Sequence, residues 1–312
     1  MFPRDPITVV EVGPRDGLQY EPDFFPTEKK IELINRLMDT GLTRMEVSSF
    51  VHPKAIPQFS DTMEVVNGID RRPGVTHSAP VPNVKGCQRA ATTPVDELAL
   101  FVSASETHNK KNVNMTVDES LVALAQVAEI GLEAGKRLRG YVVTAFGCPY
   151  QGDIPLAQVL RIVAAYREMG VGEVSLGDTT GMANPRQVVE RFNAVREAAG
   201  PMEVAAHFHN SRGTGLANAL AAYQAGIRIF DSSVGGIGGC PTALGAMGNI
   251  ATEDLVSMME EMGVPTGVDF DRLIEAARFA AGVIGSELPS YTLKVGRPEW
   301  GANPAAGPGC PA

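Results

Sequence analysis

The chain is poor in tryptophan, with one in 312 residues, and its four cysteines contain no CxxC pair. Cys87, Cys148, Cys240 and Cys310 are too widely spaced for a zinc knuckle or a disulfide scaffold, so reduced thiols in a cytoplasm are expected. No uncharged apolar run reaches the ~18 residues of a membrane span, and the start, MFPRDPITVV, has neither an apolar h-region nor an Arg/Ser-rich leader. A soluble, unexported, cytoplasmic protein is the expectation. Basic residues are outnumbered, 27 Lys and Arg against 36 Asp and Glu, for a formal charge of −9. That balance argues against nucleic-acid wrapping and anionic membranes, and leaves room only for local anion binding. Also missing is a GxGxxG or GxxxxGKS fingerprint after the first β-rich run.

What the chain has is alternation. With 44% hydrophobic residues it can build a large core. β-rich runs occur at 7–12, 44–50, 75–81, 97–104, 137–146, 172–178, 203–209 and 227–234. Helix-period patterns separate many of them, at 26–41, 118–135, 156–170, 184–200 and 213–226, each closing on glycine; the weaker 83–93 is helical only because the alternation requires it. Strands alternating with helices imply parallel pairing. Eight such units predict an α/β fold of the (β/α)8 TIM-barrel type, with an open doubly wound sheet as the rival. The missing phosphate fingerprint and the spread of polar residues over many strand ends favour the barrel. A last helix at 269–285 would complete a catalytic domain over 1–285, with a partly irregular extension over 286–312.

In such a barrel the active site lies at the C-terminal strand ends. The first strand delivers Glu11, Arg15 and Asp16, the second Glu46, Ser48 and Ser49, the sixth Ser175 and Asp178, and the seventh His207 and His209. Two histidines two apart on a strand share a face, and a carboxylate such as Asp16 would complete a metal set fitting Mn²⁺, Mg²⁺, Co²⁺ or Zn²⁺. The plainer alternative is one core and one surface histidine. Arg15 beside Asp16 is either a surface ion pair, worth roughly 0–1 kcal/mol, or a division of labour. In the second reading Asp16 holds metal or takes a proton, while Arg15 donates to an oxygen that turns negative. GGIGGCPTALGAMGN (235–249) is too glycine-rich for a helix or strand; it is a connector or a lid that carries Cys240 as an acid–base group. Asn249 is a helix cap or a metal ligand. Lys110 and Lys111, in a loop at 107–114, are a solvated patch or an anion site.

Seven motifs together resemble the 3-hydroxy-3-methylglutaryl-CoA lyase family: EVGPRDGLQ (11–19), MEVSSFVHPK (45–54), ASETHNKKNVN (104–114), RGYVVTAFGCPYQG (139–152), VSLGDTTG (174–181), AHFHN (206–210), and GGIGGCP followed by GNIATEDLV (248–256). The resemblance runs from about Ile7 to Ile284 and implies a TIM barrel that binds one divalent cation, Mg²⁺ or Mn²⁺ foremost, through Asp16, His207, His209 and Asn249. It implies metal-assisted cleavage of an acyl-CoA to acetyl-CoA and acetoacetate, with Asp16 or His207 as base, Arg15 at the enolate oxygen and Cys240 in the last proton transfer. Gln19, Glu46, Ser49, Lys110, Lys111, Asn112, Ser175, Asp178 and Glu253 are implied for the substrate pocket, and a homodimer for the assembly. Cys310 matches a C-terminal cysteine that links subunits in some members. Tyr20 stands where these lyases usually have asparagine, and Asn210-Ser211-Arg212 where many have Asp-Thr, so a related 3-hydroxy-3-substituted glutaryl-CoA or citramalyl-CoA stays open as substrate. A condensing synthase and a non-catalytic acyl-CoA-binding barrel are the other readings.

Overall fold

The β-rich runs become strands buried on both faces, which parallel pairing requires. A computed structural model describes residues 3–239 and 248–298 of the chain. Its strands are β1 Thr8–Glu11, β2 Arg44–Glu46, β3 Thr76–Pro80, β4 Glu97–Ser103, β5 Arg137–Val143, β6 Glu173–Asp178, β7 Glu203–Phe208 and β8 Ile229–Ser232. Each pairs in parallel with its sequence neighbours, and β1 pairs with β8 to close the barrel. The expected eight strands are therefore all present, each a little shorter than its apolar run.

Helices α1 Thr27–Asp39, α2 Thr62–Gly68, α3 Val84–Ala91, α4 Glu106–Val113, α5 Val117–Glu133, α6 Leu156–Glu168, α7 Pro185–Ala199, α8 Gly215–Gln224, α9 Thr252–Glu261, α10 Phe270–Ile284 and α11 Tyr291–Val295 follow the strands around the barrel. On α1 the buried residues Leu33, Ile34, Leu37 and Met38 form the inner face, and Gly41 follows at φ +91°. The weak third crossover is a real helix, α3, started by the Asn83 side chain accepting from Gly86 N–H.

Two elements depart from expectation. The segment expected as a loop over 107–114 is helix α4, because Ser105 caps it by accepting from His108 N–H and Asn114 ends it in the left-handed region. The second crossover carries α2, which the periodicity did not single out. In the C-terminal extension α11 is held down by Asp254, whose carboxylate accepts from Ser290, Tyr291 and Thr292. Residues 299–312, with Cys310, lie outside the described residues.

The lumen is filled unusually. Barrel interiors are commonly layers of branched aliphatics. Here Val10, Val12, Ala205 and Ile229 form a small inner cluster. Beside it runs a charged ladder in which Arg44 Nη1 meets Glu173 Oε2 at 2.6 Å, Arg139 Nε meets Glu173 Oε1 at 2.5 Å, and Arg139 Nη2 meets Asp231 Oδ1 at 2.6 Å. Arg139 and Asp231 have fully buried side chains, so each depends on its partner to offset desolvation.

Candidate active site

Glycine lets the first strand turn sharply into the site. After β1 the chain winds through one tight helical turn, Gly13–Gly17, whose Arg15 and Asp16 N–H groups both donate to Val12 C=O. A Cβ on Gly13 would sit 2.6 Å from Glu11 Oε1, and one on Gly17 2.5 Å from Ile237 Cγ1. Only glycine permits that approach to the segment after β8. Glu11 ties the two together, accepting from Gly13 N–H and Val234 N–H on one oxygen and from the Thr252 hydroxyl on the other.

Four side chains converge at the mouth. Asp16, His207 and His209 place one ligand atom each within 4.8 Å of one another. Asp16 Oδ2 is 3.9 Å from Nε2 of both histidines, and the two Nε2 atoms are 3.1 Å apart. Asn249 Nδ2 donates to Asp16 Oδ2 at 2.9 Å. The helix-cap alternative for Asn249 fails, because α9 begins after Ala251 without a side-chain cap. Instead, residues 248–250 run antiparallel along the end of β7, with Asn210 N–H on Gly248 C=O and Ile250 N–H on Phe208 C=O. Close passage of Gly238, at φ +128°, leaves room for the Asn249 amide: a Cβ there would lie 2.8 Å from Nδ2.

These donors fit a divalent cation. One carboxylate, two imidazoles and an amide are the mixed oxygen and nitrogen set such ions take. Two imidazole nitrogens turned toward one carboxylate, with most of their surface buried, are hard to explain by packing alone. Burial opposes ionisation of Asp16, but Arg15, His207 and His209 hold its carboxyl below the usual range. His209 is pushed down to about 4 by burial and by the neighbouring His207. Burial also works against a charged His207, yet the Asp231 hydrogen bond and charge, with Asp16 and Glu46, carry it above its ordinary value.

Arg15 is an ion-pair partner after all, but inside the site. Its Nη1 donates to Asp16 Oδ1 at 2.8 Å and its Nε lies 3.9 Å from Glu46 Oε2. Gln19 Nε2 donates to the same Asp16 oxygen at 2.9 Å. Glu46 accepts from the Tyr141 hydroxyl at 3.0 Å, which in turn accepts from Arg139 Nη1 at 2.5 Å. Above this polar floor opens a cavity of about 710 Å³, whose wall includes apolar groups of Val51, Ile56, Pro80, Phe101 and Met115.

Of the sequence candidates, Arg15, Asp16, Gln19, Glu46, Asn112, His207 and His209 line that cavity, and so does Tyr20. Others stand behind the wall. Ser49 Oγ reaches Pro80 C=O at 3.5 Å, Ser175 Oγ donates to Asp231, and Asp178 Oδ1 accepts from Met182 and Ala183 N–H. Glu253 accepts from Gly235 N–H with both oxygens. Lys110 folds back on Asn114 C=O and Lys111 lies over the Tyr150 ring, both exposed on α4 outside the cavity lining. Cys240 lies outside the described residues. Sequence reasoning missed Tyr141, Arg139 and Asp231; the available signal was a charged residue inside an otherwise apolar strand, as in IRIFDSSV.

Glu253 carries a pH prediction. Burial pushes its carboxyl up to about 8, from an ordinary value of 4.5. Between those two values the folded chain retains a proton that the unfolded chain has released, so stability falls as pH rises through that window. Glu253→Gln, which cannot ionise, is expected to flatten the fall in Tm between about pH 5 and about pH 8. A fall as steep as in the unmodified chain would place the titration on another group.

Known proteins match this geometry closely. The HMGL-like family model covers residues 6–280. The hydroxymethylglutaryl-CoA lyase YngG of Bacillus subtilis is 48% identical over 93% of this chain and 97% of its own length, and the human mitochondrial hydroxymethylglutaryl-CoA lyase is 42% identical over 91% and 87%. Among solved structures, the Bacillus subtilis HMG-CoA lyase superposes with a TM-score of 0.91 at 48% identity, covering 94% of this chain and 98% of its own. An HMG-CoA lyase from Acinetobacter baumannii, in complex with coenzyme A and 3-methylmalate, does so at 0.90 and 46%, covering 94% and 96%. With the barrel, the mouth cluster and near full-length matches in agreement, the chain belongs to the HMGL-like family, among the hydroxymethylglutaryl-CoA lyases.

Proposed function

We propose that the chain cleaves 3-hydroxy-3-methylglutaryl-CoA to acetyl-CoA and acetoacetate, using a divalent cation, Mg²⁺ or Mn²⁺, held by Asp16, His207, His209 and Asn249. The observation that carries this reading is the convergence of Asp16, His207 and His209 with Arg15 on the floor of one cavity, with the Asn249 amide bonded to Asp16 beside them. The cation, when bound, draws charge from the substrate's tertiary hydroxyl and free carboxylate and so eases loss of the hydroxyl proton. Asp16 is the group placed to accept that proton. A His207 that turns Nε2 to the cation and gives Nδ1–H to Asp231 has no lone pair left, whereas the Asp16 carboxylate, held as an anion by Arg15, keeps acceptor capacity on Oδ2. As the oxygen's electron pair forms the ketone of acetoacetate, the bond to the carbon next to the thioester breaks and leaves its electrons as a thioester enolate. Arg15 donates to the enolate oxygen, and Cys240 serves the proton transfer that completes acetyl-CoA.

Coenzyme A and a hydroxy dicarboxylate in a relative 46% identical support the same pairing of ligand classes here. The apolar wall suits the 3-methyl group. Tyr20, at the cavity edge, keeps a bulkier 3-substituent or citramalyl-CoA as the second substrate reading. A homodimer in the cytoplasm is the assembly and location we propose. The test is direct: chelator-treated protein reloaded with Mg²⁺ or Mn²⁺ is expected to release acetoacetate from 3-hydroxy-3-methylglutaryl-CoA and none before reloading. Release from a related ester but not from this one would move the substrate; release from neither would sink the reading.

A further inference from the structure

His207 has an unequal pair of ring nitrogens. Nε2 faces Asp16 and His209, while Nδ1 lies 3.2 Å from Asp231 Oδ2. The contact is built into the barrel, since His207 on β7 and Asp231 on β8 are partners in the strand register. Two further strands fix the carboxylate. From β5, Arg139 Nη2 donates to Oδ1 at 2.6 Å; from β6, Ser175 Oγ donates to Oδ2 at 3.2 Å. Arg139 is itself held by Glu173 at 2.5 Å. Both Asp231 oxygens thus already accept from fixed donors, and a carboxylate paired with a buried guanidinium has only acceptor capacity left. Whatever meets Oδ2 from His207 must therefore be an N–H.

We propose that Asp231 is a positioning residue that holds His207 as its Nδ1–H tautomer and so turns the Nε2 lone pair toward the cation. The proposal rests on the reading of Asp16, His207, His209 and Asn249 as the cation's ligands. It goes beyond it by assigning the tautomer to a named partner and by separating the two histidines. His209 Nδ1 is buried without a hydrogen-bond partner among the described residues, so nothing comparable orients its ring. Ligand histidines commonly depend on such an outer hydrogen bond, and its loss typically weakens metal binding by about 10–100-fold. In Asp231→Asn the side chain gains an N–H face. Where that face meets Nδ1, the ring must accept there and carry its proton on Nε2, the atom the cation needs.

The chain has only five histidines, so each ring can be followed in ¹⁵N-labelled protein. In the Mg²⁺-loaded protein, long-range ¹H–¹⁵N spectra are expected to show His207 protonated at Nδ1 and bare at Nε2. Titration with Mn²⁺, with free ion read by electron paramagnetic resonance, is expected to give a Kd about 10–100-fold weaker for Asp231→Asn. Glu173→Gln is the control, because it disturbs the same buried ladder through Arg139 without touching His207. It is expected to lower Tm while leaving the His207 signals in place and the Mn²⁺ Kd within about threefold, well short of the loss that follows removal of an outer partner. An equal loss of Mn²⁺ affinity in Glu173→Gln would reduce Asp231 to a structural residue and overturn the proposal. Mn²⁺ binding with His207 protonated at Nε2 would overturn it too, and that spectrum needs no variant to fold. A chain that binds no Mn²⁺ at all would remove the cation reading first. Failure of the lyase assay would leave all three measurements interpretable, since none uses turnover.

Discussion

Replacing Asp16 with asparagine is expected to lower kcat by about 10³-fold or more, since a metal ion contributes several kcal/mol to such a reaction and about 4 kcal/mol corresponds to that factor. The side chain keeps its shape, so the effect isolates the charge. Asp16 is the single anion toward which Arg15, Asn249 and both histidine Nε2 atoms converge. An asparagine presents one acceptor in place of two and no negative charge, so one of those donors loses its partner and the cation loses its only anionic ligand. Mn²⁺ affinity and kcat are therefore expected to fall together, with little change in Tm. Acetoacetate release at saturating Mn²⁺, measured beside the thermal transition, checks this. A variant that keeps kcat within about tenfold, or roughly 1.4 kcal/mol, would show that Asp16 does not hold the cation.

The fold was legible because its signal is local. Each strand and most crossovers announce themselves within a stretch of ten to twenty residues, and repetition of the unit gives the barrel. What stayed hidden was either polar or distant. Helix α4 has no apolar stripe; a cap at Ser105 and the Asn109 amide, bonded to Met115 and Thr116 C=O, support it instead. The Asn249 contact with Asp16 spans 233 positions, and nothing in the spacing of either residue separates a ligand from a helix cap.

Asp231 was hidden differently. A carboxylate inside IRIFDSSV reads as a strand-end polar residue, and only closure of the barrel shows that it faces Arg139 across the lumen and His207 beside it. Ser175 and Glu253 do not line the cavity at the barrel mouth. Their side chains are spent on Asp231 and on Gly235 N–H, holding the site's frame in place.

Arg15→Lys is the second large effect: kcat is expected to fall by about 10²–10³-fold, with KM changed by less than about threefold. A lysine keeps the charge, so simple attraction of an anionic substrate survives. What it loses is the fork. The guanidinium already donates to Asp16 Oδ1 at 2.8 Å and approaches Glu46 Oε2 at 3.9 Å, and its planar shape lets it serve a further oxygen without leaving them. An ammonium on a flexible stem has to settle between Asp16 and Glu46, drawn back from the cavity. The enolate oxygen becomes fully negative only as the carbon–carbon bond breaks, so a donor aimed at it lowers the barrier while adding little to ground-state binding. Steady-state kinetics on the Mn²⁺-loaded protein separate the two cases. A raised KM with kcat intact would make Arg15 a ground-state anchor, and the enolate charge would then need another donor at the barrel mouth.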